Sequence, residues 1–283
     1  MITGTRYRLT LEINRQAQIA TDIERAMTEI STGKRIQSPS DDPVGAARVS
    51  DIARAQADMA TWKRNLETAG SLSTRADDAI GATVLAVTRA KELMLSAATG
   101  TMSPENRNTI AIELRALAEE ISAIQITRDQ RGEPLFPAGG SLEIPVAEGV
   151  NITAVGTRAS VFEADTAGGP KDIAQIISDA ADAILEPDAT RQASIGAALA
   201  EVDAAVAGIT RAQGEQGTRG NRIDNLLERL AEFSLQASEE RTTIESADVL
   251  EVIARLQARQ LTLQAAQAAF ARINSSTLFD LLR

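Results

Sequence analysis

The 283 residues contain no cysteine and no histidine. Disulfides, thiolate nucleophiles, imidazole general bases and the usual zinc ligand sets are therefore excluded together. Aromatic residues make up only 2% of the chain, while alanine is abundant. That balance disfavours a thick globular core and suits long helices packed closely on one another. No dense basic patch occurs, which argues against nucleic acid as a partner. No stretch approaches the roughly 18 consecutive apolar residues of a spanning helix, so membrane insertion is not expected. The N-terminus lacks a charged segment followed by an apolar core, so no cleavable secretory signal is expected either.

What charge there is has a pattern. The net charge is −10. Residues 1–64 hold ten basic and eight acidic side chains, residues 249–283 hold four and two, and the middle holds fifteen and twenty-nine. The acidic middle reads as a solvated surface and the near-neutral ends as packed ones.

Those ends carry the clearest periodicity. Val249, Ile253, Leu256, Leu263 and Phe270 follow a 4-3 repeat, with Gln260 and Gln267 at the intermediate places and no Gly or Pro between. Such a narrow apolar seam is the signature of coiled-coil packing. Leu9, Ile13, Ala20, Ile23, Met27 and Ile30 repeat in the same way, with Gln16 at the odd position. The two stripes predict a pair formed by the N- and C-terminal helices, although two ordinary amphipathic core helices would show the same periodicity. Each stripe offers a few Leu or Ile side chains at roughly 1.5–3 kcal/mol per full burial. Ordering costs of about 1–2 kcal/mol per residue consume most of that. The pair is therefore expected to be loose in a lone chain and firm only against further copies or relatives.

Between the ends, Gly33 is a helix stop and Pro39 and Pro43 forbid a continuous helix. Asp42 is placed as an N-cap with Pro43 at the first helical position; capping outweighs metal ligation for Asp41 and Asp42, since no other ligand cluster lies nearby. A long helical tract then runs from Val44 to about Ala98, weakened at Gly70 and Gly81, where a bend is expected. Ser103 and Pro104 restart a helix that folds back antiparallel. Residues 132–170 are rich in glycine and strand-like alternation, including Ser160-Val161-Phe162, and predict one or two β-hairpins. A short helix follows, ending before Pro187, and then a second long one from about Ile195. Its apolar register continues through Gly214, Gly217 and Gly220, so these glycines are read as sites of close helix–helix approach. The acidic pairs Asp77/Asp78, Glu119/Glu120 and Glu239/Glu240 are adjacent on helices, so their side chains diverge by about 100° and do not converge on a substrate.

Residues 31–48, STGKRIQSPSDDPVGAAR, resemble the N-terminal signature of the flagellin superfamily. Gly217, Arg219, Asn221 and Arg222 are similar to a further family segment, and so are Thr127-Arg128-Asp129 with Leu135-Phe136 and the run from Gly156 to Phe162. The run Ala265–Ile273 and the ending Thr277-Leu278-Phe279-Asp280-Leu281-Leu282 resemble the C-terminal helix of the family. Asp42-Pro43 and the Leu-Phe-Asp ending are closer to members at the hook–filament junction than to flagellins proper.

The resemblance implies a mainly α, elongated rod of long antiparallel coiled-coil helices, with paired terminal helices and a small β-hairpin-rich insertion. It divides the chain into a terminal helical domain with its connector (1–43 and 249–283), a helical rod (44–131 and 171–248) and a reduced β-rich outer region (132–170). It implies a structural role without catalysis, cofactor or metal: an adaptor ring joining hook to filament. The implied partners are the hook-side junction protein, flagellin, further copies of this chain and an export chaperone. The implied location is extracellular, on the flagellum, after type III export without a cleavable signal. The expected assembly interface comprises Leu9, Ile13, Ile23, Met27, Ile30, Ile253, Leu256, Leu263, Phe270, Leu278 and Phe279. Flagellin itself, or a coiled-coil scaffold outside the flagellum, stays open as an alternative.

Overall fold

The structure, a computed structural model, describes residues 2–99 and 102–275. It is mainly helical, with seven helices and four short strands among the described residues. The helices are α1 (Ile2–Thr32), α2 (Pro43–Ala97), α3 (Pro104–Gln125), α4 (Arg158–Phe162), α5 (Ile173–Leu185), α6 (Asp188–Glu245) and α7 (Val249–Ser275). The strands β1 (Glu143–Ala147), β2 (Val150–Thr153), β3 (Glu163–Thr166) and β4 (Gly169–Asp172) form two antiparallel hairpins, β1–β2 and β3–β4. The chain packs as two compact units, one of residues 1–57 with 234–283 and one of residues 58–233.

The second unit holds the larger core. Leu66, Ile80 and Met94 of α2, Leu114 and Ile121 of α3, Ile173, Ile177 and Ile184 of α5, and Ile195 and Ile209 of α6 are all buried together. Ser103 caps α3 through its side-chain oxygen, with proline next, as its sequence signature predicts. The Arg89–Glu113 ion pair at 2.8 Å ties α3 back antiparallel against α2. The apolar stretch of α6 is long enough, by composition, to cross a membrane. Here Ile195, Val202, Ala205 and Ile209 are buried in the core, while Glu201 and Asp203 pair with Lys171 and Lys91 on other elements.

The β segment belongs to this same core. Ile144, Val146 and Ile152 of the first hairpin are buried with the helices, as are Leu135 and Phe136. The first hairpin turns at Glu148-Gly149, where φ of Gly149 is +68°, a conformation glycine adopts without a Cβ penalty. Ser160-Val161-Phe162 departs from the strand expectation, because it lies in the helical turn α4. Thr157 accepts the Ser160 backbone N–H at 3.2 Å and caps that turn. A strand would send the neighbouring Val161 and Phe162 to opposite faces. Both are buried here, and Phe162 meets Phe136 edge-on with centroids 4.9 Å apart.

The glycines of α6 also sort differently from the expectation of close approach. A Cβ on Gly214 or Gly217 would meet nothing within 4 Å. A Cβ at Gly220 would meet Ser73 Oγ at 3.5 Å and one at Gly208 would meet Ala164 Cβ at 3.4 Å, so the neighbouring elements come into contact there. Between the helices the amide of Gln216 donates to Ser73 Oγ and to the Ala154 carbonyl, each at 2.9 Å. Gln216 thereby links α6, α2 and the segment after β2, while its own Oε1 is buried without a partner.

Candidate assembly interface

In the first unit, α1 and α7 pair antiparallel, with the C-terminal half of α1 against the N-terminal half of α7. Ala26 and Val252 are the most deeply buried apolar side chains of the pair, at 4% and 2% exposure. Asp22 and Arg259 form an ion pair across the two helices. The inward positions of α1 include Gln16, Ile19, Ile23, Ala26 and Ile30, and those of α7 include Val252, Leu256, Arg259, Leu263, Ala266 and Phe270.

Most of the predicted stripe of α7 is partly buried, with Val249 exposed, while that of α1 divides. Ile23, Ile30, Leu256, Leu263 and Phe270 are partly buried, spaced by sevens along their helices; Ile253 is partly buried beside Val252. Ile13 and Met27 turn outward, 53% and 49% exposed. In α1 the deeply buried alternate place is Ala26, one residue before the exposed Met27, while Ile19 and Ala20 are both partly buried. In α7 Val252 is buried more deeply than the partly buried Ile253, while Arg259 and Gln260 are both partly buried. Alanine at position 26 lets the helices approach where methionine would hold them apart, and apolarity alone could not reveal that choice. Leu9 is placed in α1 by its backbone alone, and Leu278 and Phe279 lie outside the described residues.

A connector clasps the ends of these helices. Gly33 stops α1 with φ of +66°. Beyond it, the Arg35 N–H donates to the Glu245 carbonyl at 2.7 Å, and the Ala247 N–H donates to the Gly33 carbonyl at 2.9 Å. These two bonds join the α1–α2 connector to the α6–α7 link. Asp41 accepts the backbone N–H groups of Ser38 at 2.8 Å and Gln37 at 3.0 Å on one carboxylate oxygen, and its other oxygen takes the guanidinium of Arg25. Asp42 caps α2 by accepting the Gly45 N–H at 2.9 Å, and its second oxygen accepts from Arg35 at 3.0 Å. Gly45 is required here: a Cβ would lie 2.7 Å from Asp42 Oδ2 and 2.8 Å from Ile36 Cδ1.

The clasp is electrostatic throughout. Backbone donors from Ser38 and then Gln37 hold the Asp41 carboxyl below its ordinary range, and the Gly45 N–H and the Arg35 guanidinium do the same for Asp42. Arg48 grips Glu240 with two bonds of 2.7 and 3.0 Å and lowers its pKa. Lys34, at 2.9 Å, and Arg241 lower that of Glu245. Single surface pairs of this kind contribute little each. Here several share one junction and act with backbone bonds.

Between α1, α7 and the connector lies a charged cleft of about 490 Å³ in which Arg25, Arg255 and Arg259 alternate with Asp22, Glu29 and Asp41. Opposite charges there neutralise one another. Among the described residues, no group of three or more Asp and Glu side chains is placed to hold a metal ion. The geometry is that of a helical chain whose two ends form one packing element.

Similarity to known proteins agrees with that class. The family model for the bacterial flagellin N-terminal helical region matches residues 9–139, and that for the C-terminal helical region matches residues 199–282. The chain belongs to the flagellin family. Among curated relatives, flagellar hook-associated protein 3 of Escherichia coli (strain K12) is 22% identical over 287 residues, covering 89% of this chain and 90% of the relative. Flagellin FlaB2 of Treponema pallidum (strain Nichols) is 26% identical over 275 residues, covering 92% of each. Among solved structures, a flagellar hook-associated protein from Vibrio parahaemolyticus shares the fold with a TM-score of 0.66 at 20% identity, over 73% of this chain and all of the other. The flagellar junction protein FlgL from Legionella pneumophila does so with a TM-score of 0.58 at 14% identity, over 70% of this chain and 100% of that one.

Proposed function

We propose that this chain is a structural subunit of the bacterial flagellum that adapts the hook to the filament at their junction. The observation that carries the reading is the terminal-helix pair, which leaves an apolar surface uncovered. Ile13 and Met27 on α1, with Leu250 and Leu261 on α7, remain exposed after the pair has formed. Exposed apolar side chains on both members of a helix pair suit packing against further helices. The full-length similarity to hook-associated protein 3 supports the junction as the place where that packing occurs.

In this reading the terminal domain, residues 1–43 and 249–283, packs into the tube shared by hook and filament. The helical rod, 44–131 and 171–248, makes contacts between copies in a ring. Residues 132–170 face outward. The neighbours are the hook-side junction protein and flagellin. The chain reaches its extracellular site by type III export without a cleavable signal, and a chaperone holds the C-terminal helix beforehand. The interface side chains are Leu9, Ile13, Ile23, Met27, Ile30, Ile253, Leu256, Leu263, Phe270, Leu278 and Phe279. Loss of chaperone affinity on deleting residues 250–283 is the expected result, and unchanged affinity would refute that assignment.

A filament subunit is the second reading, favoured by the equally complete similarity to flagellin FlaB2. Immunogold microscopy with antibody to residues 138–170 separates the two. Label confined to the hook–filament boundary is expected; label along the whole filament would instead identify a flagellin. Absence of label from flagella with the antigen exposed would overturn both.

A further inference from the structure

The second unit carries a cationic cleft that the reading above does not use. Arg64 and Arg75 of α2 stand eleven residues apart, three helical turns, and so share a face. With Arg131 of the turn after α3 they surround a cleft of about 430 Å³, with Thr68 and Ser71 between them. Among the described residues, no carboxylate pairs with any of the three guanidiniums, and the only bond made by that of Arg64 is to Thr61 Oγ1 at 2.9 Å. The two carboxylates that line the cleft are engaged elsewhere. Asp129 accepts the backbone N–H groups of Arg131 at 2.8 Å and Glu133 at 2.9 Å, and Glu67 faces Lys63 at 3.8 Å. A second space of about 320 Å³ shares Leu72, Asp129 and Arg131 with the first and is walled by Glu133, Leu135, Pro137 and the exposed Leu142. The surface thus sets three guanidiniums beside a mainly apolar wall, with Asp129 and Glu133 at its edge.

The same unit presents the complementary pattern. On the outer face of α3, Ile112 is 58% exposed, and Ile126, which caps the C-terminus of the helix, is 65% exposed; each stands seven residues from Glu119. Neither Glu119 nor the adjacent Glu120 is in an ion pair among the described residues. Apolar side chains flanking two free carboxylates match an arginine cleft beside an apolar wall. Arginine forks bind carboxylates with two parallel bonds, which gives such a contact orientation as well as strength.

We infer that the Arg64–Arg75–Arg131 cleft receives the outer face of α3 from a second copy of this chain. Each copy carries both halves of the contact, cleft and stripe, so one kind of subunit suffices to propagate or close an assembly. The inference deepens the proposed ring and rests on that reading only in supposing that copies meet.

Two double variants test it. Arg75→Glu with Arg131→Glu gives a copy whose cleft and stripe are both acidic. Glu119→Arg with Glu120→Arg gives a copy in which both are basic. Sedimentation of the full chain at low salt, from about 10 µM to about 1 mM, spans the weak association that such a surface supports. Wild type is expected to self-associate reversibly. Each double variant is expected to weaken that association at least tenfold, with circular dichroism showing it folded. An equimolar mixture is expected to regain the wild-type strength, since both contacts between unlike copies are attractive. A wild type that stays monomeric, a folded variant that associates like wild type, or a mixture that does not recover would each overturn the contact.

The cysteine-free background gives an independent reading. A mixture of Ser71→Cys and Ala116→Cys chains is expected to form the mixed disulfide under mild oxidation, and its absence counts against the contact. Immunogold label at the junction together with a monomeric chain in solution would overturn the cleft contact and leave the junction reading standing.

Discussion

Gly45→Ala and Gly81→Ala make one chemical change at two places in α2 and should move stability in opposite directions. At Gly81 a Cβ meets nothing within 4 Å. Alanine there gains about 1 kcal/mol through helix propensity and a less flexible unfolded chain. At Gly45 the new Cβ stands 2.7 Å from Asp42 Oδ2, 2.8 Å from Ile36 Cδ1 and 2.9 Å from Asp42 Cγ. Ordinary carbon contacts begin at roughly 3.5 Å, so the carboxylate must shift by about half an ångström or more. Ile36 can rotate away. Asp42 cannot do so freely, because it holds the Gly45 N–H at 2.9 Å and Arg35 at 3.0 Å. Overpacking of about 1–3 kcal/mol and loss of an N-cap worth about 1 kcal/mol act against the propensity gain of about 1 kcal/mol. The net loss should be about 1–3 kcal/mol, which lowers local amide protection about 5- to 160-fold. Hydrogen exchange read by mass spectrometry on peptides covering residues 33–50 checks this directly. Protection in Gly45→Ala equal to wild type, or a loss of the same size in Gly81→Ala, would refute the capping argument.

Three further outcomes are expected. The folded-state pKa values of Asp41, Asp42, Glu240 and Glu245 all lie below their ordinary values of 3.8 or 4.5. Their contribution is therefore complete above about pH 4.5 and is lost as pH falls through the depressed values. Protection at the connector, taken relative to the intrinsic exchange rate at each pH, should fall only in acid and stay level between about pH 5 and 7, where a chain without histidine has little to titrate; opening within that neutral window would contradict the clasp. Phe162→Ala removes a fully buried ring that meets Phe136 edge-on, and should cost about 3–5 kcal/mol in denaturant unfolding. A loss under about 1 kcal/mol would mean that the hairpin segment is not part of the helical core. Gln216→Met keeps the volume but strands the Ala154 carbonyl and Ser73 Oγ, and should cost about 1–3 kcal/mol; a neutral result would show that the orphaned Oε1 already cancels what the donor side contributes.

Elements announced by backbone chemistry were legible in the sequence. Ser103-Pro104, Gly33 and Asp42-Pro43 each state a local rule that the chain obeys. The terminal stripes were legible as stripes, but the seam was not. Which half of a 4-3 repeat turns inward depends on how closely two backbones approach, and that is decided by Ala26 opposite Val252, not by the more apolar Met27. Ser160-Val161-Phe162 misled because two neighbouring apolar residues fit a strand edge as readily as one helical turn. The Thr157 cap was the signal that would have decided it. The network of Arg25, Arg35 and Arg48 joins residues up to about two hundred positions apart, and no spacing rule reaches that far.

The pairing of α1 with α7 has a further consequence for how the chain acquires its structure. Residues near position 26 find their mates near position 252, so closing the first unit brings together segments separated by most of the chain. Contacts of such high order form late, since the closure entropy must be met before they contribute anything. The second unit, residues 58–233, contains its own core and can form before the last fifty residues are present. Until they arrive, α1 lacks the helix it pairs with in the folded chain. The order of folding is thus written into the topology: the middle first, and the two ends together at the finish.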